Sequence, residues 1–330
     1  VSRAAPLTTR LTEFFGIDYP IVLAPMAMIS GGRLAAAVTA AGGLGFIGGG
    51  YGDREWLQRE FGNAGASKVG CGFITWSLAE KPELLDEALA RQPAAIMLSF
   101  GDLRPFADRV RSAGVPLVAQ AQNLDHIREA LDAGADIIVA QGSEAGGHGM
   151  TVRSTFTFVP EVVDLVAERR PEVLVVLAGG VADGRGLAAA LALGADGALV
   201  GTRFWASSEA LVSPRAHQRA IPASGDDTFR TRIYDVVRQL DWPVEYNERA
   251  LANSFLDRWH GNDEQLLAAL PEAIDTFEKA VAAEDFDVAA ALVGEDIGLI
   301  REVRPAGGIV HGMARDAAHI LARAADSVQR

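Results

Sequence analysis

A histidine set among glycines is the residue of this chain best placed to move a proton. His148 sits near the end of the stretch Ser143-Glu144-Ala145-Gly146-Gly147-His148-Gly149, which closely follows the apolar run 136–140. That run has the length and β-branched content of a buried parallel strand. His148 is therefore expected at a strand's carboxyl end, where α/β barrels carry their chemistry. The glycines let backbone approach a ligand closely, and an imidazole with an ordinary pKa of about 6.5 suits a general base. Glu144 is the nearest alternative base, although holding the loop in place is the favoured reading of it. His126, His217, His260, His311 and His319 fall in helix-like or connecting segments without metal-ligand spacing. They read as surface or packing residues, and no metal site is expected.

Two glycine-bearing segments further on suit a phosphate. Ala178-Gly179-Gly180-Val181 and Gly201-Thr202 each end an apolar run, and the second opens a helix-like segment from Arg203. Backbone N–H groups at such turns cradle phosphate, and the Thr202 hydroxyl adds a donor. Glycine pairs are also ordinary turn residues, so the two together carry the argument. No Gly-x-x-x-x-Gly-Lys-Ser/Thr spacing occurs, which argues against a nucleoside triphosphate machine. Elsewhere, Met26 follows Pro25 at the end of an early apolar run and offers a soft surface to a flat ring, or simply core packing. Gly72 lacks the side chain that would fill space beside Phe73, and Gln120 and Gln141 present amides to a polar ring edge. A planar heterocycle with a phosphate tail fits this set, with flavin mononucleotide (FMN) the simplest candidate.

Positioning these groups takes a repeated pattern of short apolar strand, glycine or polar loop, and helix-like stretch. Strands are expected at residues 21–24, 44–47, 69–74, 94–99, 116–120, 136–140, 173–178 and 197–200. Segments rich in alanine, leucine and arginine lie between them at 34–41, 82–90, 124–133 and 186–193. Eight alternations predict an α/β fold, a closed (β/α)8 TIM barrel. Ala130-Leu131-Asp132-Ala133-Gly134-Ala135-Asp136 recurs as Ala190-Leu191-Ala192-Leu193-Gly194-Ala195-Asp196, which sets Gln141-Gly142 level with Gly201-Thr202. A common helix-to-strand turn with a glycine stop accounts for that repeat equally well. Residues 213–291 break the alternation with helix-like, charged, tryptophan-containing sequence. They are expected to form a mainly helical insertion covering or flanking the barrel mouth, or serving as an interface. The barrel takes 1–212 and 292–330, closed by an amphipathic helix at 314–328.

Composition narrows the partners. The chain has 330 residues, a formal charge of −13 and a single cysteine, Cys71. The charge disfavours nucleic acid and anionic membranes as main partners, and one cysteine cannot form a disulfide within the chain. No apolar run is long enough to span a membrane and residues 1–10 lack a signal pattern, so the expectation is a cytoplasmic enzyme, with a homodimer open.

The chain resembles the nitronate monooxygenase family, flavin-dependent barrels once called 2-nitropropane dioxygenases. The resemblance rests on Ala24-Pro25-Met26, Val69-Gly70-Cys71-Gly72-Phe73-Ile74-Thr75-Trp76, Ala140-Gln141-Gly142-Ser143-Glu144-Ala145-Gly146-Gly147-His148, Ala178-Gly179-Gly180-Val181 and Gly201-Thr202. These run from the first strand to the eighth in family order, while the 213–291 region matches loosely. The resemblance implies FMN, with its phosphate at Gly179-Gly180 and Gly201-Thr202. Met26, Gly72, Phe73, Gln120, Gln141, Gly146 and Gly147 would line the cofactor, with His148 as catalytic base. Many relatives carry asparagine where this chain has Gly72, so no side-chain contact is implied there. The implied reaction is oxidative denitrification: a nitronate gives an electron to FMN, oxygen is consumed, and a carbonyl compound and nitrite leave. A base is needed only when a neutral nitroalkane is offered. Two other readings remain: an NAD(P)H-dependent FMN reductase acting on quinones or enoyl thioesters, and a non-catalytic barrel that binds a phosphorylated ligand.

Overall fold

A computed structural model describes residues 5–328; the outermost ends of the ranges 1–212 and 292–330 lie outside the described residues. The barrel strands are β1 (Ile21–Leu23), β2 (Phe46–Gly48), β3 (Gly70–Ile74), β4 (Ile96–Ser99), β5 (Leu117–Ala121) and β6 (Ile137–Gln141), followed after an intervening β7 (Gly147–Gly149) by β8 (Leu174–Ala178) and β9 (Gly197–Val200). They pair in parallel in the order β1-β9-β8-β6-β5-β4-β3-β2. A parallel bridge from Val22 to Leu44 joins the two ends, so the sheet closes into the eight-stranded barrel that the alternation predicts.

Both faces of each strand are covered, which is why these runs are almost continuously apolar. In β6, Ile137 and Val139 pack into the barrel interior with Val118, Met97, Leu174 and Val176. Ile138 and Ala140 face the surrounding helices with Ile127, Leu131, Phe158 and Val162. The repeated Ala-Gly-Ala-Asp turn has a common structural job. Gly134 and Gly194 take left-handed backbone at φ +81° and +92°, and Asp136 and Asp196 each accept a hydrogen bond from the strand next door, at Leu117 N (2.8 Å) and Val175 N (2.9 Å). The similarity is thus explained by helix termination and strand registration.

The last helix, Ala306–Val328, begins earlier than sequence periodicity suggested and packs on the helix Gly184–Ala192. Gly184 permits the contact, because a Cβ there would lie 2.5 Å from Ala317 N. No helix among the described residues is long and apolar enough to cross a membrane.

Residues 213–291 carry five short-to-medium helices and two strands, β10 (Thr228–Thr231) and β11 (Asn247–Leu251). These strands pair antiparallel, and β11 also pairs antiparallel with β7. The glycine-rich stretch is therefore the third strand of a small sheet, with His148 opposite Glu248. Glycine-rich sequence hides such a strand, because its pairing is imposed from a segment about a hundred residues away. A separate apolar cluster of Tyr234, Phe255, Trp259, Leu266 and Phe277 supports the segment from behind.

Candidate active site

The carboxyl ends of the barrel strands open into a cavity of about 560 Å³. Met26, Gly72, Phe73, Gln120, Gln141, Gly146, Gly147, His148, Gly179, Gly180, Gly201 and Thr202 all line it. Eight separate strand ends and their loops converge here because parallel strands in a barrel all point their carboxyl termini one way. Trp242, Phe277, Val281, Phe286 and Ala289, from the 213–291 segment, complete an apolar wall.

Close packing explains several of the small residues. A Cβ on Gly72 would sit 2.4 Å from the Pro25 ring, so the room beside Gly72 is filled by proline rather than left empty for a ligand. Gly146 backs onto Gly294, whose nitrogen would lie 2.4 Å from a Cβ. Gly179 and Gly180 take φ +110° and +74°, left-handed backbone that L side chains resist. Glu144 accepts from Thr155 N (2.9 Å) and Thr155 Oγ1 (2.6 Å) at the start of the helix Thr155–Arg169. Its carboxylate serves as a borrowed helix cap that pins the loop.

The two glutamines differ in what they leave free. Gln141 Oε1 accepts from Gln120 Nε2 (3.0 Å) and Gln122 Nε2 (2.8 Å), and its Nε2 donates to the His148 carbonyl at 3.0 Å. Gln141 is thus committed to holding β7 against the barrel. Gln120 Oε1 has no protein partner among the described residues and remains an open acceptor at the cavity wall.

His148 sits in a network that sequence reading missed. Its ring stacks on Trp242 with centroids 3.5 Å apart and planes 6° from parallel. Nε2 lies 3.0 Å from Asp235 Oδ1, and since a carboxylate only accepts, Nε2 carries the hydrogen. Nδ1 then holds the lone pair, and it makes no hydrogen bond among the described residues. Arg238 Nη2 donates to Asp235 Oδ1 (3.1 Å) and Glu248 Oε2 (2.7 Å), bridging the two buried carboxyls. His148, Asp235 and Glu248 are close enough together to suggest a metal. The guanidinium already supplies the cation there.

Burial governs the charges in this network. It pushes the His148 pKa down to about 3, against the pull of the Glu248 carboxylate and with help from Arg238 and Arg230. Burial also raises Asp235 to about 6, opposed by Arg238 and Arg232, and raises Glu248. At neutral pH the state these directions support is a neutral imidazole donating to an ionised Asp235 whose charge Arg238 balances. A neutral imidazole is the form that accepts a proton, and the same burial that keeps it neutral weakens it as a base. The ordinary pKa expected from sequence does not hold, because the ring is buried beneath Trp242.

Tyr51, Trp76, Phe100 and Trp242 meet edge-on or tilted around this corner, with centroids 5.2–6.3 Å apart. Phe100 holds a left-handed backbone at φ +64°, unusual for an aromatic residue, at the loop after β4. Of these groups Trp76, in the motif that carries the family resemblance, and Trp242, in the tryptophan-containing 213–291 segment, gave a signal. Asp235, Arg238 and Glu248 gave none, since charged residues in a helical insertion normally face water.

Comparison with known proteins agrees with this geometry. The family model described as nitronate monooxygenase matches residues 8–66 and 78–316. A nitronate monooxygenase of Neurospora crassa is 31% identical over 96% of this chain and 94% of its own length. The structure of FabK from Thermotoga maritima superposes with a TM-score of 0.84 at 28% identity, covering 97% of this chain and 99% of that one. A nitroalkane oxidase from Streptomyces ansochromogenes superposes with a TM-score of 0.74 at 29% identity, covering 96% and 99%. With the barrel, its cavity and this match across most of the sequence, the chain belongs to the nitronate monooxygenase family.

Proposed function

We propose that this protein is an FMN-dependent monooxygenase that converts alkyl nitronates and oxygen to carbonyl compounds and nitrite, and that it also accepts neutral nitroalkanes. The observation that carries the reading is His148, a neutral imidazole with Nδ1 unengaged, on the wall of a cavity whose other side is made of left-handed glycine turns. The cavity fits the cofactor on its own features. Its volume is in the range of small-ligand pockets, and at Gly179-Gly180 backbone N–H groups are available where side chains would be strained. FMN bound there supplies the electron acceptor and the reaction with oxygen.

The chain's own residues do the rest. Gly179, Gly180, Gly201 and Thr202 would hold the phosphate, Met26, Phe73 and the glycines at 72, 146 and 147 would border the ring, and Gln120 Oε1 would offer it an acceptor. His148 Nδ1 takes the α-proton of a neutral nitroalkane, and Asp235 stabilises the imidazolium that results, in the manner of a carboxylate–histidine pair. A nitronate arrives without that proton and needs no base. The apolar wall from Trp242 to Ala289 excludes water from the reacting carbon. Residues 213–291 act in this scheme as a flank that completes the site rather than as a detached domain.

The test begins with the purified protein's absorbance and the flavin released on denaturation, then nitrite release from nitroethane and its nitronate. Anaerobic mixing completes it: bleaching of the flavin by nitronate and not by NADH or NADPH is expected. Rapid bleaching by a reduced nicotinamide with none by nitronate would assign a reductase instead, and a colourless protein that binds no flavin would leave a ligand-binding barrel.

A further inference from the structure

Around His148 the hydrogen bonds leave donors over. Arginine has five N–H hydrogens in one plane. In Arg238, Nε donates to the Tyr234 carbonyl at 3.0 Å, and Nη2 spends its hydrogens on Asp235 Oδ1 (3.1 Å) and Glu248 Oε2 (2.7 Å). Nη1 has no partner among the described residues, so its two hydrogens are unspent. It is not sealed in protein either, unlike the unpartnered Nε of Arg203. Acceptors on Nε and Nη2 fix the guanidinium plane, and Nη1 cannot swing away to find another. Arg238 lines the cavity and, His148 apart, is the one basic side chain to do so among the described residues.

Tyr51 stands at the same corner. Its Oη accepts from Trp242 Nε1 at 3.3 Å, on the indole that stacks against His148. The Tyr51 hydrogen has no acceptor among the described residues. Burial pushes the phenol up to about 12, against the pull of Arg238, so that hydrogen stays in place at neutral pH. Three donor hydrogens and one acceptor, His148 Nδ1, are thus unspent on neighbouring side chains of the cavity wall.

A nitro group on a carbon that bears hydrogen is the complement of this set. It presents two acceptor oxygens in one plane with an acidic C–H beside them. A carboxylate has the two oxygens, but its α-hydrogen is far too weakly acidic for an imidazole, and a thioester has only one carbonyl oxygen. Charge does not stand in the way. Arg238 balances Asp235, and Glu248, fully buried with Oε1 unpartnered, is in a setting that favours its neutral form.

Resting on the nitronate reading, we propose that Arg238 Nη1 and the Tyr51 hydroxyl bind the two oxygens of the substrate's nitro or nitronate group, with the α-carbon turned towards His148 Nδ1. When a neutral nitroalkane reacts, the α C–H bond breaks and its proton goes to Nδ1. The electron pair left behind forms the C=N bond, and the negative charge moves to the two oxygens, where the donor hydrogens meet it. A nitronate carries that charge on arrival and takes the same donors. Arg238 and Tyr51 therefore serve both substrate forms, whereas His148 as base serves only the neutral one.

Anaerobic rapid mixing of the holoprotein with ethyl nitronate gives, from the concentration dependence of flavin bleaching, a dissociation constant and a limiting rate. Tyr51→Phe keeps the ring and loses the hydroxyl; Arg238→Lys keeps the charge and loses the fixed pair of N–H groups. Each should raise the nitronate dissociation constant about tenfold, the worth of one hydrogen bond to a charged acceptor, and lower kcat/KM for nitroethane at least as much. FMN content should stay at the wild-type level. Loss on nitroethane alone, with nitronate binding unchanged in either variant, would overturn the proposal, because the residue would then act through His148. Loss of FMN with unchanged nitronate binding in the molecules that keep it would also overturn it and assign the residue to the cofactor. Tyr51→Phe decides the question even if Arg238→Lys folds poorly, since it leaves the bridge between Asp235 and Glu248 intact. Wild type that nitronate does not bleach at all would instead overturn the nitronate reading, and this inference with it.

Discussion

At the scale of single residues, the proposed reaction turns on His148 and the carboxyl behind it. His148→Ala is expected to keep FMN and to lose about 10²-fold or more of activity on neutral nitroalkanes, the usual worth of a general base, while nitronate oxidation persists. Steady-state nitrite release with each substrate form checks this, and equal loss on both would count against the assignment. Asp235 also leaves a signature in stability. His148, lowered by burial from 6.5 to about 3, binds fewer protons folded than unfolded in that window, so its contribution is present at neutral pH and lost on acidification. Asp235, raised by burial from 3.8 to about 6, binds more protons folded than unfolded, so its contribution falls as pH rises through that range. The two oppose each other between about pH 4 and 6. Removing the second with Asp235→Asn should make stability climb more steeply with pH there, measured as urea midpoints across a pH series; an unchanged slope would mean Asp235 does not titrate in this range.

At the scale of elements, the site depends on β7 being held between the barrel and β11 of the 213–291 segment, with Gly146 beside it against the chain at 293–294. Gln141 ties β7 to β6, β11 pairs with it from the other side, and Gly146 lies against Gly294. A methyl at 146 would meet backbone at 2.4 Å, which flexible side chains cannot relieve. Gly146→Ala should therefore cost about 1–3 kcal/mol in stability, typical of overpacking, and lower flavin occupancy together with it. Denaturant unfolding and the ratio of flavin to protein absorbance would show both. Normal occupancy with normal stability would mean the loop and the 293–294 segment can separate freely.

For the whole molecule, the cofactor and the fold should support each other, because the cavity draws its walls from nearly every strand end and from the 213–291 segment. With free FMN at about a hundred times its dissociation constant the folded state gains about 2.7 kcal/mol, and thermal unfolding should shift upward by a few degrees. A melting temperature indifferent to excess FMN would argue that the cavity holds something else. Local pattern was enough to place all eight barrel strands and the glycine turns, since buried parallel strands are read directly from apolar runs and glycine marks where backbone must turn. The cavity lining was legible for the same reason: residues at strand carboxyl ends converge in any closed parallel barrel. What local pattern could not carry was anything supplied by chain distant in sequence. That Gly147–Gly149 is a strand, that Pro25 fills the space beside Gly72, and that Asp235, Arg238, Trp242 and Glu248 surround His148 follow from contacts across 47 to 102 residues and from burial. The amino-acid sequence by itself determined a barrel with a histidine at its mouth. Only tertiary contact decided the protonation of that histidine, because desolvation and neighbouring charges depend on what is packed beside it.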